Sequence, residues 1–569
     1  GLSRAQFNTR TLEDGIFRTL SAQLTGISIR ADNVRGMHEQ VPPTITARTA
    51  AGALVDTSNV ALYTLTTATG GTIPLKSNQQ TLKLDLARDL RLVAPIAFKT
   101  GIAYDRAERN IRNTTWTWTI NPPASAGGRI VGNHDLIDTA FSSSWKYKDG
   151  SKVQWMESQK AFKLFREHPE YFQLNEAAAH TSAVNGSKLL EETISAAYAR
   201  ADVKFIDNRL WLAGGVRFER TDDEGTGPLN DPNAIYQKNA DGSLIRGANG
   251  RPVPLPGTAL QLAQLQYKER GSSGKSHYSG FYPSLNSSYT ILPDLLIRAA
   301  YARTIGRPDI TAIVPGVTIT DIASGSADPV INEVNTGLQP WHAHNWDLSL
   351  ESYNLKGATI AVSLFRKDLT DFFTSTQRAT TQADLDRYGL GPEYIGYDLV
   401  TRENSSEKAS VGGIELSWRQ SLRPFAFVPE WARGLQVFAN TTRLNVTGEG
   451  KNSFLPFRPR LFNYGVSYTH RKALVRVNVA QQGAQRTALV AANATTPAGT
   501  YQYIPIRIIT DVSFEYRLTK RFALYGSARN LFQNPRKQFR SGPDTPAWAR
   551  AIRYDYYGAL LTFGVKGTY

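Results

Sequence analysis

The last thirteen residues, Tyr557 to Tyr569, alternate with period two and end on an aromatic ring. Tyr557, Ala559, Leu561, Phe563, Val565, Gly567 and Tyr569 share one face. Gly558, Leu560, Thr562, Gly564, Lys566 and Thr568 share the other. Successive side chains of a strand point to opposite faces, so this is a strand with one oily side and one small or polar side. Its length suffices to cross a bilayer at a tilt.

The same half-polar alternation recurs upstream. Val512, Phe514, Tyr516 and Leu518 oppose Asp511, Ser513, Glu515 and Arg517. Leu210, Leu212, Gly214, Val216 and Phe218 oppose Trp211, Ala213, Gly215, Arg217 and Glu219. Charge stays on one face each time. A soluble sandwich would alternate in the same way, so the connections have to decide. Tight turns are expected near Arg88–Leu92, Ile206–Arg209, Leu292–Leu295, Asn354–Gly357, His470–Ala473 and Thr519–Phe522. Longer links, at about 121–187, 226–277, 309–343, 376–405 and 490–503, take turns with them. In an up-and-down barrel this sorts tight turns to one rim and long loops to the other. One tight-side link, Leu422 to Gly434, is longer and rich in proline. The fold expected is all-β, a transmembrane antiparallel up-and-down β-barrel with long extracellular loops. About fifteen strands run from Gln80 onward, with one or two more within 15–31 and 58–68.

Composition fits that architecture. At 569 residues a soluble chain would usually divide into several domains, and a large barrel is the main exception. Mean hydropathy is −0.34, and no run of eighteen apolar residues appears, which excludes a helical membrane protein. Low hydropathy suits a barrel, because half of each spanning strand faces a polar lumen. The 25 Tyr, 24 Phe and 10 Trp suit interfacial girdles. Cysteine is absent, which removes disulfides, thiolate chemistry and Cys-based metal sites. The formal charge of +16 is scattered over strands and loops instead of being gathered in an arm or helix. It suits a lumen lined with Arg and Lys, with some of them meeting lipopolysaccharide phosphates, and nucleic acid is not an expected partner.

Several motifs, in their order and spacing, resemble the barrel of TonB-dependent outer-membrane receptors. Asp511–Leu518 leads into Arg521–Phe532 and closes on Asn530-Leu531-Phe532, similar to the family's penultimate hairpin. Gly215-Val216-Arg217-Phe218-Glu219 and Gly413-Ile414-Glu415 resemble recurring strands. Tyr282-Pro283-Ser284-Leu285, followed by Tyr301 to Asp309 (YARTIGRPD), resembles the block entering a central external loop. The resemblance runs from about Gln80 to Tyr569. It implies an outer-membrane receptor of a Gram-negative bacterium, with a family barrel of 22 strands of which 15–17 are represented here. Residues 1–79 are expected to hold early barrel strands and a long extracellular loop, and 80–569 the main barrel portion. The family's N-terminal plug is not found, nor is a signal peptide ahead of the polar segment Leu2–Arg10. The expectation is a cleaved signal or a longer protein.

No catalytic constellation stands out, and neither a cofactor nor a metal is expected. His342 and His344 would share a strand face beside Trp341, an ordinary loop-edge cluster unless they ligate a metal. Gly274-Lys275-Ser276 lacks the leading glycine of a phosphate loop, since position 269 is Glu269. Asp231, Asn233 and Asp241 lie in a Gly- and Pro-rich loop that reads better as solvated turns than as a calcium site. Residues 154–172 space Trp155, Phe162 and Phe165 like an amphipathic helix, expected over the barrel mouth, with membrane-surface binding as the sharper option.

Ligand capture is left. Arg307 and Asp309 follow a lipid-facing strand and would sit near the external end, either contacting ligand or satisfying each other at a corner. Trp116 with Trp118, and Trp145 with Tyr147, could stack on planar ligands, although an aromatic girdle is the preferred reading of the first pair. Trp341 and His342 complete the candidate ligand-binding set. The function implied by the resemblance is binding of a scarce nutrient and its import through the TonB complex. The TIGRPD style of motif resembles a branch common in polymer-degrading bacteria, which tilts the ligand toward oligosaccharide over ferric siderophore or corrinoid. A surface lipoprotein is a further candidate partner. The alternatives are a passive or structural barrel, and a soluble β-rich binding protein in which Leu561, Phe563 and Val565 would be buried against a second sheet.

Overall fold

The computed structural model describes residues 2–12, 15–32, 44–91, 95–140, 154–321, 328–454, 456–490, 496–546 and 549–567. Among these, sixteen strands form one antiparallel meander. They are β1 (Leu2–Leu12, continued by Thr19–Gln23), β2 (Thr64–Arg91), β3 (Pro95–Arg112, continued by Thr114–Ile120) and β4 (Ser187–Phe205). Next come β5 (Leu210–Asn230), β6 (Tyr267–Leu292), β7 (Leu295–Gly306), β8 (Trp341–Leu355), β9 (Ala358–Thr370) and β10 (Ala409–Ser421). The series ends with β11 (Leu435–Thr447), β12 (Arg460–His470), β13 (Ala473–Gln482), β14 (Arg507–Arg517), β15 (Phe522–Arg529) and β16 (Leu560–Gly567). Each strand pairs with the next one in this series. The strand expected to start at Gln80 starts at Thr64, and the meander itself begins at Leu2, ahead of the stretches 15–31 and 58–68 where early strands were expected.

The rims separate as expected. The tight links are 206–209, 293–294, 356–357, 471–472 and 518–521, and the link after Arg91 lies outside the described residues. Gly357 shows why one of these turns needs its residue. It has φ +83°, and a Cβ there would meet Pro424 Cγ at 2.6 Å. Pro424 belongs to the proline-rich link 422–434, which folds back along this rim through a short 3₁₀ turn at Glu430–Gly434. The opposite rim carries the long links 24–63, 121–186, 231–266, 307–340, 371–408, 448–459, 483–506 and 530–559. They are trimmed relative to the sequence expectation where strands overrun it, as β5 and β6 do.

The two faces of the wall follow the alternation. Leu561, Phe563 and Val565 are 58%, 75% and 63% exposed, so among the described residues no second sheet covers them, unlike the expectation for a soluble sandwich. Hydrocarbon must cover this band, each such side chain gaining about 1.5–3 kcal/mol on leaving water. Aromatic groups edge it: Phe218 with Phe281 at 5.1 Å, Phe462 with Tyr464 at 5.0 Å, and a triangle of Tyr301, His344 and Trp346. Above Phe218 the outward face of β5 changes to Arg220, Asp222 and Glu224, paired with one another and with Lys275. From Phe218 to Asn230 about 40 Å of strand therefore stands clear of the lipid.

Helix α1 (Ser158–Glu167) sets Phe162 and Phe165 against Phe17, with ring centroids 5.4 and 5.7 Å apart. The cluster includes Leu65, Ile120, Val131 and Phe172. Trp118 closes it at 5.6 Å from Phe165, on the face of β3 that carries Ile102 and Tyr104 lower down. The register of β3 against β2 is continuous through Asn113, so this face looks outward. The helix expected over the mouth thus lies on the outer flank of the rim.

Candidate functional site

Three extracellular links lock together over the lumen wall. The end of β5, at Leu229 and Asn230, pairs in parallel with Val317 and Thr318. Strand Val317–Ile319 pairs with Val330–Glu333, which pairs with Asp398–Asn404, which pairs with Phe373–Ala379. The chain of pairings draws links 307–340 and 371–408 onto β5. Their shared core is Leu229, Val317, Ile319, Ile331, Leu385, Leu390, Tyr394, Tyr397 and Leu399.

The charged groups inside this assembly find partners, whereas the Asn233 amide, Thr376 and Thr380 Oγ1, Glu393 Oε2 and the Tyr397 hydroxyl are buried without a hydrogen bond among the described residues. The Tyr394 hydroxyl donates to Asp231 and accepts from the Asn233 N–H at 3.0 Å. Glu333 accepts from Arg387 at 2.8 Å and from the Tyr388 hydroxyl at 2.6 Å, and Glu393 pairs with Lys238 at 2.8 Å. Arg378 grips Asp384 through two bonds of 2.7 and 2.9 Å. That grip, helped by Thr381 and opposed by burial, holds the Asp384 carboxyl far below the usual carboxylate range. Burial, then the Asp321 carboxylate, pushes the Tyr236 phenol up to about 12. Asp231 is thus committed to Tyr394 and the Asn233 backbone, while Asp241 caps Ser243 in its own turn, so these acids are not brought together.

Arg307 fastens the base of the central link to the lumen wall. Its guanidinium donates to Glu219, and its Nε to Thr221 Oγ1 at 3.3 Å. Glu219 also accepts from Arg217 at 2.7 Å. Arg307 and Asp309 therefore do not satisfy each other at a corner as the sequence suggested; Asp309 starts a helical turn, its carbonyl accepting from the Ala312 N–H at 2.8 Å. The link presses so closely on β5 that a Cβ on Gly227 would sit 1.7 Å from the Pro315 carbonyl oxygen. Across the strands behind it, Tyr278 faces Thr221 and Glu192 faces Asp223, a lumen-side polar cluster. Sequence reasoning passed over this cluster, although Glu219, Thr221 and Asp223 sit on the alternating polar face of β5.

The other candidates stand apart. Trp118 is part of the α1 cluster and Trp116 is its neighbour at 6.3 Å. Both lie beyond the Arg106–Glu191 pair, above the lipid, which corrects the girdle reading. Trp341 lies over Gly306, where a Cβ would meet its ring at 2.1 Å. His342 is 3.1 Å from the Pro340 carbonyl, while His344 bonds the Tyr301 hydroxyl at 2.9 Å, so the two rings are held separately. Trp145 and Tyr147 lie outside the described residues.

The extracellular links divide by charge. Segments 231–266, 307–340 and 371–408 hold thirteen Asp and Glu against eight Lys and Arg. Segments 448–459, 483–506 and 530–559 hold three against eight. The latter two build a separate four-stranded sheet of Gln485–Leu489, Tyr501–Ile504, Arg536–Ser541 and Ala551–Asp555. Beside it is a cavity of about 370 Å³ lined by Lys451, Phe457, Arg486 and Tyr503, with the Arg486 guanidinium 4.8 Å from the Tyr501 ring centre.

The family described as TonB dependent receptor-like, beta-barrel, matches residues 22–531. Among curated proteins none matches this sequence. Solved structures with similar chain paths include the unliganded ferric citrate transporter FecA, at 13% identity over 92% of this chain and 57% of that one, with a TM-score of 0.48. The ferric-catecholate import receptor Fiu from E. coli K12 gives 13%, 99%, 63% and 0.46. The ferripyoverdine receptor of Pseudomonas aeruginosa gives 12%, 95%, 53% and 0.45. This chain spans less than two thirds of each, and at these scores the likenesses carry no argument beyond the family match. By that match over most of its length, the chain belongs to the TonB-dependent receptor-like β-barrel family.

Proposed function

We propose that this protein is a nutrient receptor that captures a scarce ligand at its extracellular links and admits it by energy-coupled transport. A barrel of this family belongs to the outer membrane of a Gram-negative bacterium. The observation that supports capture most directly is the inward fold of link 307–340, fastened to the lumen wall by Arg307 and Glu219. Loop residues of the central link lie against the lumen face of β5, which supports a ligand site that both would share. The energy source proposed is the TonB complex, acting through a plug outside these residues. The ligand class favoured is oligosaccharide, with ferric siderophore or corrinoid as alternatives, and the protein makes and breaks no covalent bonds. Residues 1–79 and 80–569 are proposed as an early barrel segment and the main barrel portion.

The test is uptake of labelled ligand by cells carrying the whole receptor, with and without TonB. Accumulation that collapses without TonB supports the reading. Entry that is linear in concentration and indifferent to TonB contradicts it, and would favour the passive barrel.

A further inference from the structure

Beneath the central link a carboxylic acid is sealed in without a partner. Asp223 lies on the lumen face of β5, above the lipid, and is 4% exposed. Its Oδ1 is buried with no hydrogen bond among the described residues. Directly opposite it on β4 stands Glu192. The lid is link 307–340. Ile313, Val314 and Leu338 close on Leu190, two residues before Glu192, and all four are at most 5% exposed. A Cβ on Gly225, two residues after Asp223, would meet Pro315 Cδ at 2.8 Å, and one on Gly274 would collide with Thr336.

Each element packed around Asp223 brings charged or titratable groups. From the link, Arg307 is committed to Thr221 and to Glu219, which Arg217 also holds, and Asp309 begins the helical turn beyond. From β4, Glu192 brings a like charge. From β6, Tyr278 faces Thr221, and burial, then the Asp223 charge, raises its phenol, so it stays neutral. Asp222 and Glu224 point to the outer face, with Arg220, Lys275 and His277 as their neighbours. Two carboxylates opposite each other on adjacent strands repel when both are ionised. A buried carboxylate that lacks a donor is costlier still. Burial, and then Glu192, push the Asp223 acid up to about 7, against the pull of Arg307.

We propose that Asp223 is a proton-binding site that latches link 307–340 to the lumen wall: the link seats on the protonated acid and loosens when it ionises. The latch concerns the link's own equilibrium and holds for a receptor or a passive barrel alike. With the link lifted, Asp223 meets lumen water and titrates near the ordinary value of about 3.9. The seated state therefore holds a proton that the lifted state gives up between about pH 4 and pH 7. Seating is firmest below that window, weakens as pH rises through it, and levels off above. Whatever lifts the link, a ligand included, releases that proton. Asp384 acts in the opposite sense and at lower pH, so the two carboxyls leave separate signatures.

The experiment is hydrogen exchange of the full receptor in detergent at pH 5 and pH 8, read over 312–319 and 330–338 after correction for intrinsic rates. The expected result is protection of these segments about tenfold or more lower at pH 8, with β5 from Leu210 to Phe218 unchanged. Asp223→Asn, which keeps the shape and removes the charge, should hold the link seated at both pH values. Should that variant fail to fold, Glu192→Gln, at a half-buried position, removes the opposing charge and should shrink the pH effect. Equal protection of the wild type at both pH values overturns the latch. So does a pH effect that survives undiminished in Asp223→Asn or in Glu192→Gln, or one shared equally by β5.

Discussion

The two halves of the extracellular rim handle charge in opposite ways. In the links after β5, β7 and β9, acids outnumber bases, yet Asp384, Glu333 and Glu393 retain only 5–7% side-chain exposure and each has a basic partner. Their charge is consumed internally, around a core that includes fully buried Tyr394, Leu385 and Leu399. In the links after β11, β13 and β15, bases outnumber acids. The sheet there leaves Leu489 and Ile552 at 60% and 46% exposure. A loop rich in charge can thus spend its charge on internal ion pairs or present it to solvent. Only the partners distinguish the two.

The comparison breaks most severely at Tyr394. Tyr394→Ala removes a fully buried ring and strands Asp231, at a cost of about 3–5 kcal/mol. Hydrogen exchange should then accelerate across 231–235 and 317–333 together; acceleration confined to 394–399 would mean the links are independent. Next comes Arg307→Met, which leaves Glu219 half-satisfied and should loosen link 307–340 by about 1–3 kcal/mol. Protease cleavage within that link, with β5 still protected, is the expected readout.

A smaller effect follows from Asp384. Its carboxyl titrates lower in the folded clamp than the usual value of about 3.9, so the stability it contributes is present above that pH and is lost as pH falls through the native value. After correction for intrinsic exchange rates, helix Gln382–Tyr388 should be less protected at pH 3 than at pH 6, and Asp384→Asn should abolish the difference. Smallest is Arg553→Gln in the opposite half, where the guanidinium is solvent-exposed and its loss should leave the melting temperature nearly unchanged. A thermal shift comparable to that of Tyr394→Ala would erase the contrast between the halves.

The barrel wall was legible because lipid on one side and lumen on the other write a period of two into every strand. Leu561, Phe563 and Val565 carry that signal within five residues. The clamp was not legible. Asp231 and Tyr394 are distant in sequence, and each looks locally like an ordinary loop residue. Trp116 and Trp118 misled for a related reason. Alternation shows that two rings share a face but not that β3 runs on to Ile120, well past the lipid. Arg307 was singled out correctly as a residue of the central link, while its partner Glu219 was seen only as part of a strand.

Hydrogen exchange of the whole receptor in detergent, read peptide by peptide, tests the division of the rim most directly. The expected result is protection at 229–235, 317–319, 330–333 and 385–399 approaching that of the barrel strands. Segments 485–489, 501–504 and 536–541 should exchange faster. Equal exchange in both halves would contradict it.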